Sequence, residues 1–138
     1  MVRELTIHTP AQGLHEITRE VRGVVAESRV DEGLCTVFVR HTSASLTIQE
    51  NADPSAKRDL EQWLKRLIPE HDPLYTHTAE GPDDMPSHIR SALTATSLSI
   101  PIVGGSMALG TWQGIYLWEH RRAPHDRRVV VHVADEGF

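Results

Sequence analysis

The sequence predicts an α+β fold in which helices pack against a mainly antiparallel sheet, in a single domain over residues 1–138. Three observations carry that prediction. Stretches at both ends of the chain alternate apolar and polar residues, the period of a half-buried strand. The middle segments switch to helical spacing. Gly104-Gly105 separates two apolar runs, a strong two-residue hairpin signal. These patterns leave open whether the strands form one sheet or two.

Taken in order, "RELTIHT" alternates with Leu5 and Ile7 on one face and reads as the first strand, broken by Pro10 to Gly13. Ile17, Val21, Val24 and Val25 share one side of a helix over about Thr18 to Ser28. "GLCTVFVR", opened by Gly33, is rich in β-branched and aromatic residues and reads as a strand. "SLTIQ" reads as a short strand after a bend near His41. Asp53-Pro54 marks a helix start: the carboxylate accepts from free backbone N–H groups, and proline suits the first helical position. Leu60, Trp63, Leu64, Leu67 and Ile68 give this helix an apolar face, and Pro69 ends it. Glu70 to Asp84 reads as a long polar loop of the kind that often carries function. A short helix follows, with Pro86 near its start and Ile89, Ala92 and Leu93 expected to face inward. "SLSIPIV" puts Leu98, Ile100 and Ile102 on one face. "SMALGTWQGIYLWEH" carries the next strand or pair of strands, with Gly110 and Gly114 at bends or bulges. Tyr116 and Trp118 alternate with Ile115 and Leu117, so this strand is expected to be covered on both sides. "RRAPHD" turns the chain, "RRVVVHV" is the last strand, and the tail "ADEGF" is expected to be exposed.

Composition narrows the class of function. The chain is 39% hydrophobic and 24% charged, which suits a water-exposed globular domain, and no apolar run approaches the length of a membrane span. "MVRELTIHTP" lacks the apolar region of a secretory signal. The single cysteine, Cys35, excludes an internal disulfide and points to a reducing, cytoplasmic setting. Its neighbours in "GLCTVFV" are apolar, so it reads as a small buried hydrophobe, not a nucleophile. A net charge of −5 argues against a nucleic-acid or acidic-membrane surface. Arg121, Arg122, Arg127 and Arg128 read as a solvated loop and strand edge. The nine histidines are the unusual figure, so their placement matters.

Three stretches could carry chemistry. "RHTSASLTIQENADP" ends a strand in His41, Thr42, Ser43 and Ser45, then presents Gln49, Glu50 and Asn51 before the helix start. Those hydroxyls can donate to a phosphate or satisfy their own turn. A Ser–His nucleophile pair is conceivable there, but no nucleophile elbow is present. "YTHTAEGPDDMPSHIRSAL" holds His77, Glu80, Asp83, Asp84 and His88. Imidazoles and carboxylates are ligands for zinc-like metals, and carboxylates suit magnesium. The alternative is a polar loop in which Asp84 caps the helix and His88 packs in its first turn. "GTWQGIYLWEHR" flanks Trp112 and Gln113 with glycines, which suggests close approach to a strand, a subunit or a ligand, and sets Glu119 and His120 at the polar end of a strand.

Together, "HTSASLTIQENADP", "GPDDMPSHIRSAL" and "GTWQGIYLWEHRR" resemble, in order and spacing, the YjbQ-like family associated with secondary thiamine-phosphate synthase activity. The resemblance runs from the first strand to "RRVVVHV". It implies an α+β sandwich of mainly antiparallel strands with two to three helices packed on it, assembled as a homotrimer. It also implies a polar pocket at a subunit boundary where the three motifs meet. Carried onto this chain, His41, Ser43, Glu50, Asp84 and Glu119 are the expected catalytic residues. Asn51, Trp112, Gln113, Arg90 and Arg121 are expected to bind substrate. His41, His77 and His88 are expected to hold a divalent metal, zinc or magnesium. The implied reaction joins a pyrimidine diphosphate to a thiazole phosphate and releases pyrophosphate. A metal-assisted hydrolase of a small phosphorylated compound and a non-catalytic metal- or ligand-binding trimer are the alternatives.

Overall fold

A computed structural model describes residues 1–136 of the chain. Eleven elements follow one another: β1 (Val2–Thr9), β2 (Gly13–Glu16), α1 (Thr18–Ser28), β3 (Gly33–Val39), β4 (Ala44–Glu50), α2 (Pro54–Leu67), α3 (Asp84–Leu93), β5 (Ser97–Val103), β6 (Ser106–Met107), β7 (Gln113–Glu119) and β8 (His125–Asp135). The strands form two sheets, ordered β1-β8-β3-β5-β6 and β2-β7-β4, and every strand pairing within them is antiparallel. This is the predicted α+β class, with three helices on a two-sheet sandwich.

Alternation decides which face each strand buries. Cys35, Val37 and Val39 of β3, Val129, Val131 and Val133 of β8, and Ile100 and Ile102 of β5 point into one core. Ala44, Leu46, Ile115 and Leu117 of the smaller sheet meet them there, and α1 adds Val21, Val24 and Val25. Full burial of each such branched side chain is worth about 1.5–3 kcal/mol before entropy is subtracted. The opposite face of the smaller sheet is also covered: Leu14, Tyr116 and Trp118 pack with Leu64 of α2. So β7 is buried on both sides, as its unbroken apolar run predicts. The outer face of the larger sheet is bare, with Leu34, Phe38 and Val103 exposed.

Local chemistry sets the boundaries. Asp53 accepts from the Ser55 N–H at 2.9 Å and Pro54 occupies the first turn of α2. Gly104 and Gly105, at φ 59° and 81°, form the β5–β6 hairpin turn that β-carbon-bearing residues resist. Among the described residues, no helix is long and apolar enough to cross a membrane.

Several expectations need correction. β2 was not expected; its four residues pair with the C-terminal half of β7 and are too short to show a period. The last strand begins at His125 and takes in Ala134 and Asp135 of the expected tail. Gly137 and Phe138 of that tail lie outside the described residues. α3 buries Asp84, Pro86, Ser87, Arg90 and Ser91, while Ala92 and Leu93 face water. On its inward face Ser87 donates to the Asp84 carbonyl, Ser91 to the Ala44 carbonyl and Arg90 Nη2 to the Ile68 carbonyl. Asp84 does not cap α3; Asp83 occupies that position, without a side-chain cap. Trp63 and Leu67 of α2 are about half exposed. Arg127 is buried, and Arg121 largely so, which overturns the solvated reading for those two, whereas Arg122 and Arg128 are exposed as expected.

Candidate functional site

One end of the sandwich is plugged by charge. Glu119, at the inward end of β7, is fully buried. Its carboxylate accepts from Arg127 Nε at 2.7 Å, from Arg127 Nη2 at 2.5 Å, from the Thr9 hydroxyl at 2.6 Å and from the Arg121 N–H at 3.1 Å. Burial alone would raise the Glu119 pKa, but these donors outweigh it and hold the group below the ordinary carboxylate range. Beside it, His120 is buried with its Nε2 hydrogen-bonded to the Ser45 hydroxyl at 2.8 Å. Burial, with the Arg90 charge nearby, pushes the imidazole down to about 3, so it stays neutral. No solvent reaches this Ser–His pair, and it serves the core.

From this plug the bonding runs outward. Arg121 donates through Nε to Asp83 at 3.1 Å and through Nη1 to Asp84 Oδ1 at 2.8 Å. The buried Asp84 carboxylate then meets two imidazoles with its other oxygen. His77 Nε2 lies 2.7 Å and His88 Nε2 3.2 Å from Oδ2. Their rings are 5.3 Å apart and tilted. Burial works against the Asp84 charge; the His77 hydrogen bond and the charges of His88 and Arg121 overcome it and lower its pKa. One ligand atom from each of His77, Asp84 and His88 lies within 4.8 Å of the others. Asp84 and His88 share a helix face at i, i+4, and the polar loop brings His77 back over them.

Next to this trio a cleft of about 360 Å³ is lined by His41, Thr42, His88, Ser91, Ala92 and Thr96. It continues into an open cleft of about 630 Å³ along residues 38–43 and Thr96. His41 faces this cleft but does not join the trio. Its Nε2 accepts the Arg128 N–H at 2.8 Å, so that nitrogen is not free to ligate a metal. Burial, then the Arg127 charge, lowers its pKa and keeps it neutral. Ser43 anchors the loop through its carbonyl, which accepts from the His120 N–H and Arg127 Nη2.

The other predicted residues lie elsewhere. Glu50 pairs with Gln113 at the far end of β4, while Ala44 pairs with Glu119 at the near end. Six residue steps of about 3.4 Å separate the two ends by about 20 Å. Glu50, Asn51, Trp112 and Gln113 are exposed there, with Asn51 donating to Glu16 and Gln113 accepting from the Gly110 N–H. Within a single chain the near ends of the three motifs therefore meet, while Glu50, Asn51, Trp112 and Gln113 lie at the far end. Arg90 lies on α3 about 200° round from His88, and faces the opposite side of the helix. Glu119 is walled off from the cleft by its own partners.

Sequence reasoning missed Thr9 and the Thr42 carbonyl, to which His88 Nδ1 bonds at 3.0 Å; it named Ser45 without its His120 partner and read Arg127 as solvated. A signal for Arg127 existed: it shares the inward face of β8 with Val129, Val131 and Val133, where an unpaired cation would not survive.

The fold and the site define an α+β sandwich with a histidine–aspartate cluster at the mouth of a cleft. The family model "UPF0047 protein YjbQ-like" matches residues 3–136, and the chain belongs to that family. It is similar to the UPF0047 protein sll1880 of Synechocystis, 58% identical over 132 residues that cover 96% of this chain and 90% of the relative. The UPF0047 protein YjbQ of Escherichia coli O157:H7 is 42% identical over 135 residues, 97% of each chain. Among solved structures, the conserved hypothetical protein TT1486 of Thermus thermophilus matches with TM-score 0.85 at 36% identity, covering 96% of this chain and 99% of that one.

Proposed function

We propose that His77, Asp84 and His88 hold a divalent cation and that the adjoining cleft handles a small phosphorylated substrate, in a reaction of the thiamine-phosphate synthase type. The observation that carries this reading is the convergence of one ligand atom from each of His77, Asp84 and His88 within 4.8 Å of one another. His88 Nδ1 stands 3.0 Å from the Thr42 carbonyl, which can only accept, so Nδ1 carries a proton. The His88 Nε2 is thereby turned toward Asp84 Oδ2 at 3.2 Å, where the two atoms can share a cation. His77 supplies the third donor atom, and the Thr42 carbonyl and Arg121 orient the ligands as outer partners of metal sites do.

The donor set fits a zinc-like ion better than magnesium, which favours oxygen. Ligand atoms about 2.0–2.2 Å from a tetrahedral ion stand about 3.4 Å apart, so the 3.2 Å His88–Asp84 contact would open by about 0.2 Å and the 2.7 Å His77–Asp84 contact by about 0.7 Å. Such an ion would offset charge on phosphate oxygens. In the condensation, a thiazole nitrogen bonds to the pyrimidine methylene carbon as the bond from that carbon to the diphosphate oxygen breaks. Negative charge then gathers on the departing pyrophosphate. Neutral His41, its Nε2 occupied by the Arg128 N–H, keeps its Nδ1–H as a donor toward that charge. The metal-assisted hydrolase remains the second reading, because the His77 side chain is 51% exposed and water reaches the cluster.

Assembly as a homotrimer belongs to the same proposal. Glu50, Asn51, Trp112 and Gln113 can join this cleft only from a neighbouring copy, and exposed Leu34 and Phe38 on the bare sheet suit self-association. The test is bound metal per chain by elemental analysis of untagged protein, followed by a condensation assay. His77→Ala and His88→Ala are expected to lose metal and product formation, and His41→Ala to keep metal with slower turnover. Parent protein that takes up no metal even when it is supplied would overturn the metal reading. Metal binding without turnover of either phosphorylated substrate class would leave only the non-catalytic binding module. Light scattering that finds a monomer would remove the trimer.

A further inference from the structure

We infer that a second, separate site, on the face of α3 away from His88, binds a phosphate-bearing anion through Arg90, Lys65 and Arg122. Arg90 is 3% exposed and makes one hydrogen bond, from Nη2 to the Ile68 carbonyl at 2.7 Å. Its Nε and Nη1 are buried without a partner. A guanidinium presents five N–H donors in a planar fork, and burying most of them unmet is costly. Folded chains keep such a group where something else completes it.

The surroundings indicate what does. Arg90 lines a cleft of about 350 Å³ together with Gln12, Lys65, Glu70 and Arg122. A smaller pocket of about 10 Å³, room for about one water, shares part of its lining. Both are bordered by Gln12, Lys65 and Arg90. Three cations face one carboxylate here, in a chain whose net charge is −5. Glu70 is engaged by Arg122 Nε at 3.2 Å, and Arg90 feels the Glu70 and Asp83 charges without an ion pair to either. The Gln12 amide donates to the His120 carbonyl at 3.1 Å, which fixes one wall. A planar fork, a mobile ammonium and a net charge of two positives match a phosphate dianion better than a carboxylate. An occupant would tie the end of α2, through Ile68 and Lys65, to α3, the helix that carries Asp84 and His88.

The experiment is calorimetric titration of inorganic phosphate into the full chain, with acetate as the control anion. The variants are Lys65→Ala/Arg122→Ala, Arg90→Lys and His88→Ala. Lys65 and Arg122 lie at the rim, so their double variant folds even if changes at Arg90 do not. Saturable phosphate binding is expected in the parent and in His88→Ala. It should weaken by about tenfold or more in Lys65→Ala/Arg122→Ala, and acetate should bind more weakly than phosphate. Phosphate binding that vanishes in His88→Ala but survives in the double variant would assign the anion to the histidine cluster and overturn the proposal. Absence of saturable binding at millimolar phosphate, or equal binding of acetate, would overturn it as well.

Discussion

Glu119→Gln is the substitution that separates a buried structural charge from a catalytic one. Glu119 accepts four hydrogen bonds, from Thr9, the Arg121 N–H and twice from Arg127. Its side chain is 0% exposed and that of Arg127 is 4% exposed. Glutamine preserves the shape but replaces one accepting oxygen with an NH₂ that faces donors. It also leaves the Arg127 charge buried without its counter-ion. Removing one partner of a buried pair costs about 3–5 kcal/mol, whereas an exposed pair is worth under about 1 kcal/mol. At roughly 4 °C per kcal/mol for a domain of this size, the midpoint of thermal unfolding should fall by about 10–20 °C. Urea unfolding at fixed protein concentration gives the free energy directly. In the Glu119→Gln/Arg127→Met double variant the losses should fall short of additive, because the second change removes the cation stranded by the first. The pH profile has a defined sign: the folded pKa is depressed from 4.5, so the contribution is present above that value and is lost as pH falls through the folded pKa. A Glu119→Gln variant within about 1 kcal/mol of the parent would refute the reasoning; if it had also lost activity, Glu119 would be a catalytic group after all.

Other consequences are quicker to check. Burial raises the Cys35 thiol to about 11, so a thiol reagent at pH 8 should leave folded protein unmodified and react with one thiol per chain in denaturant. Gly33→Ala places a β-carbon 2.0 Å from the Ala134 carbonyl oxygen across the β3–β8 ladder; it should destabilise by at least about 1–3 kcal/mol in urea melts. Arg121→Met removes the outer partner of Asp84 and should weaken metal binding by about 10- to 100-fold in competition with a chelator, without abolishing it.

Much of the fold was legible because its period is local. α1 runs Thr18–Ser28 as its valines predict, and Asp53-Pro54 starts α2 through a bond from the next turn. α3 was read inside out. Hydropathy favours Ala92 and Leu93 for the core, but Ser91 donates to the Ala44 carbonyl and Arg90 to the Ile68 carbonyl, so distant carbonyls draw the polar face inward. Those partners are 47 and 22 residues away, beyond any window of periodicity. The candidate site divides along the same line. Asp84 and His88 are one turn apart on a helix, and their meeting could be read. That Glu50 and Asn51 leave the cleft could not, because it depends on β4 staying extended for seven residues against β7.

The charged plug explains why the misread residues cluster. A sandwich core has two open ends, and at this one the inward positions of β1, β7 and β8 carry Thr9, Glu119 and Arg127 instead of apolar groups. Read singly, each looks exposed or functional; only pairing across strands makes them interior. The same plug then points outward. Glu119 receives the Arg121 N–H, Arg121 grips Asp83 and Asp84, and Asp84 meets His77 and His88. Arg127 meanwhile holds the Ser43 carbonyl in the loop that presents His41. The buried carboxylate thus positions both walls of the cleft without touching its contents. Loosening the plug should therefore disorder His41 and the His77–Asp84–His88 trio together, whereas an alanine at His41 should leave the trio's geometry intact. Histidine-ring NMR shifts in Glu119→Gln and His41→Ala read the two cases apart. Unchanged His77 and His88 signals in folded Glu119→Gln would sever the link.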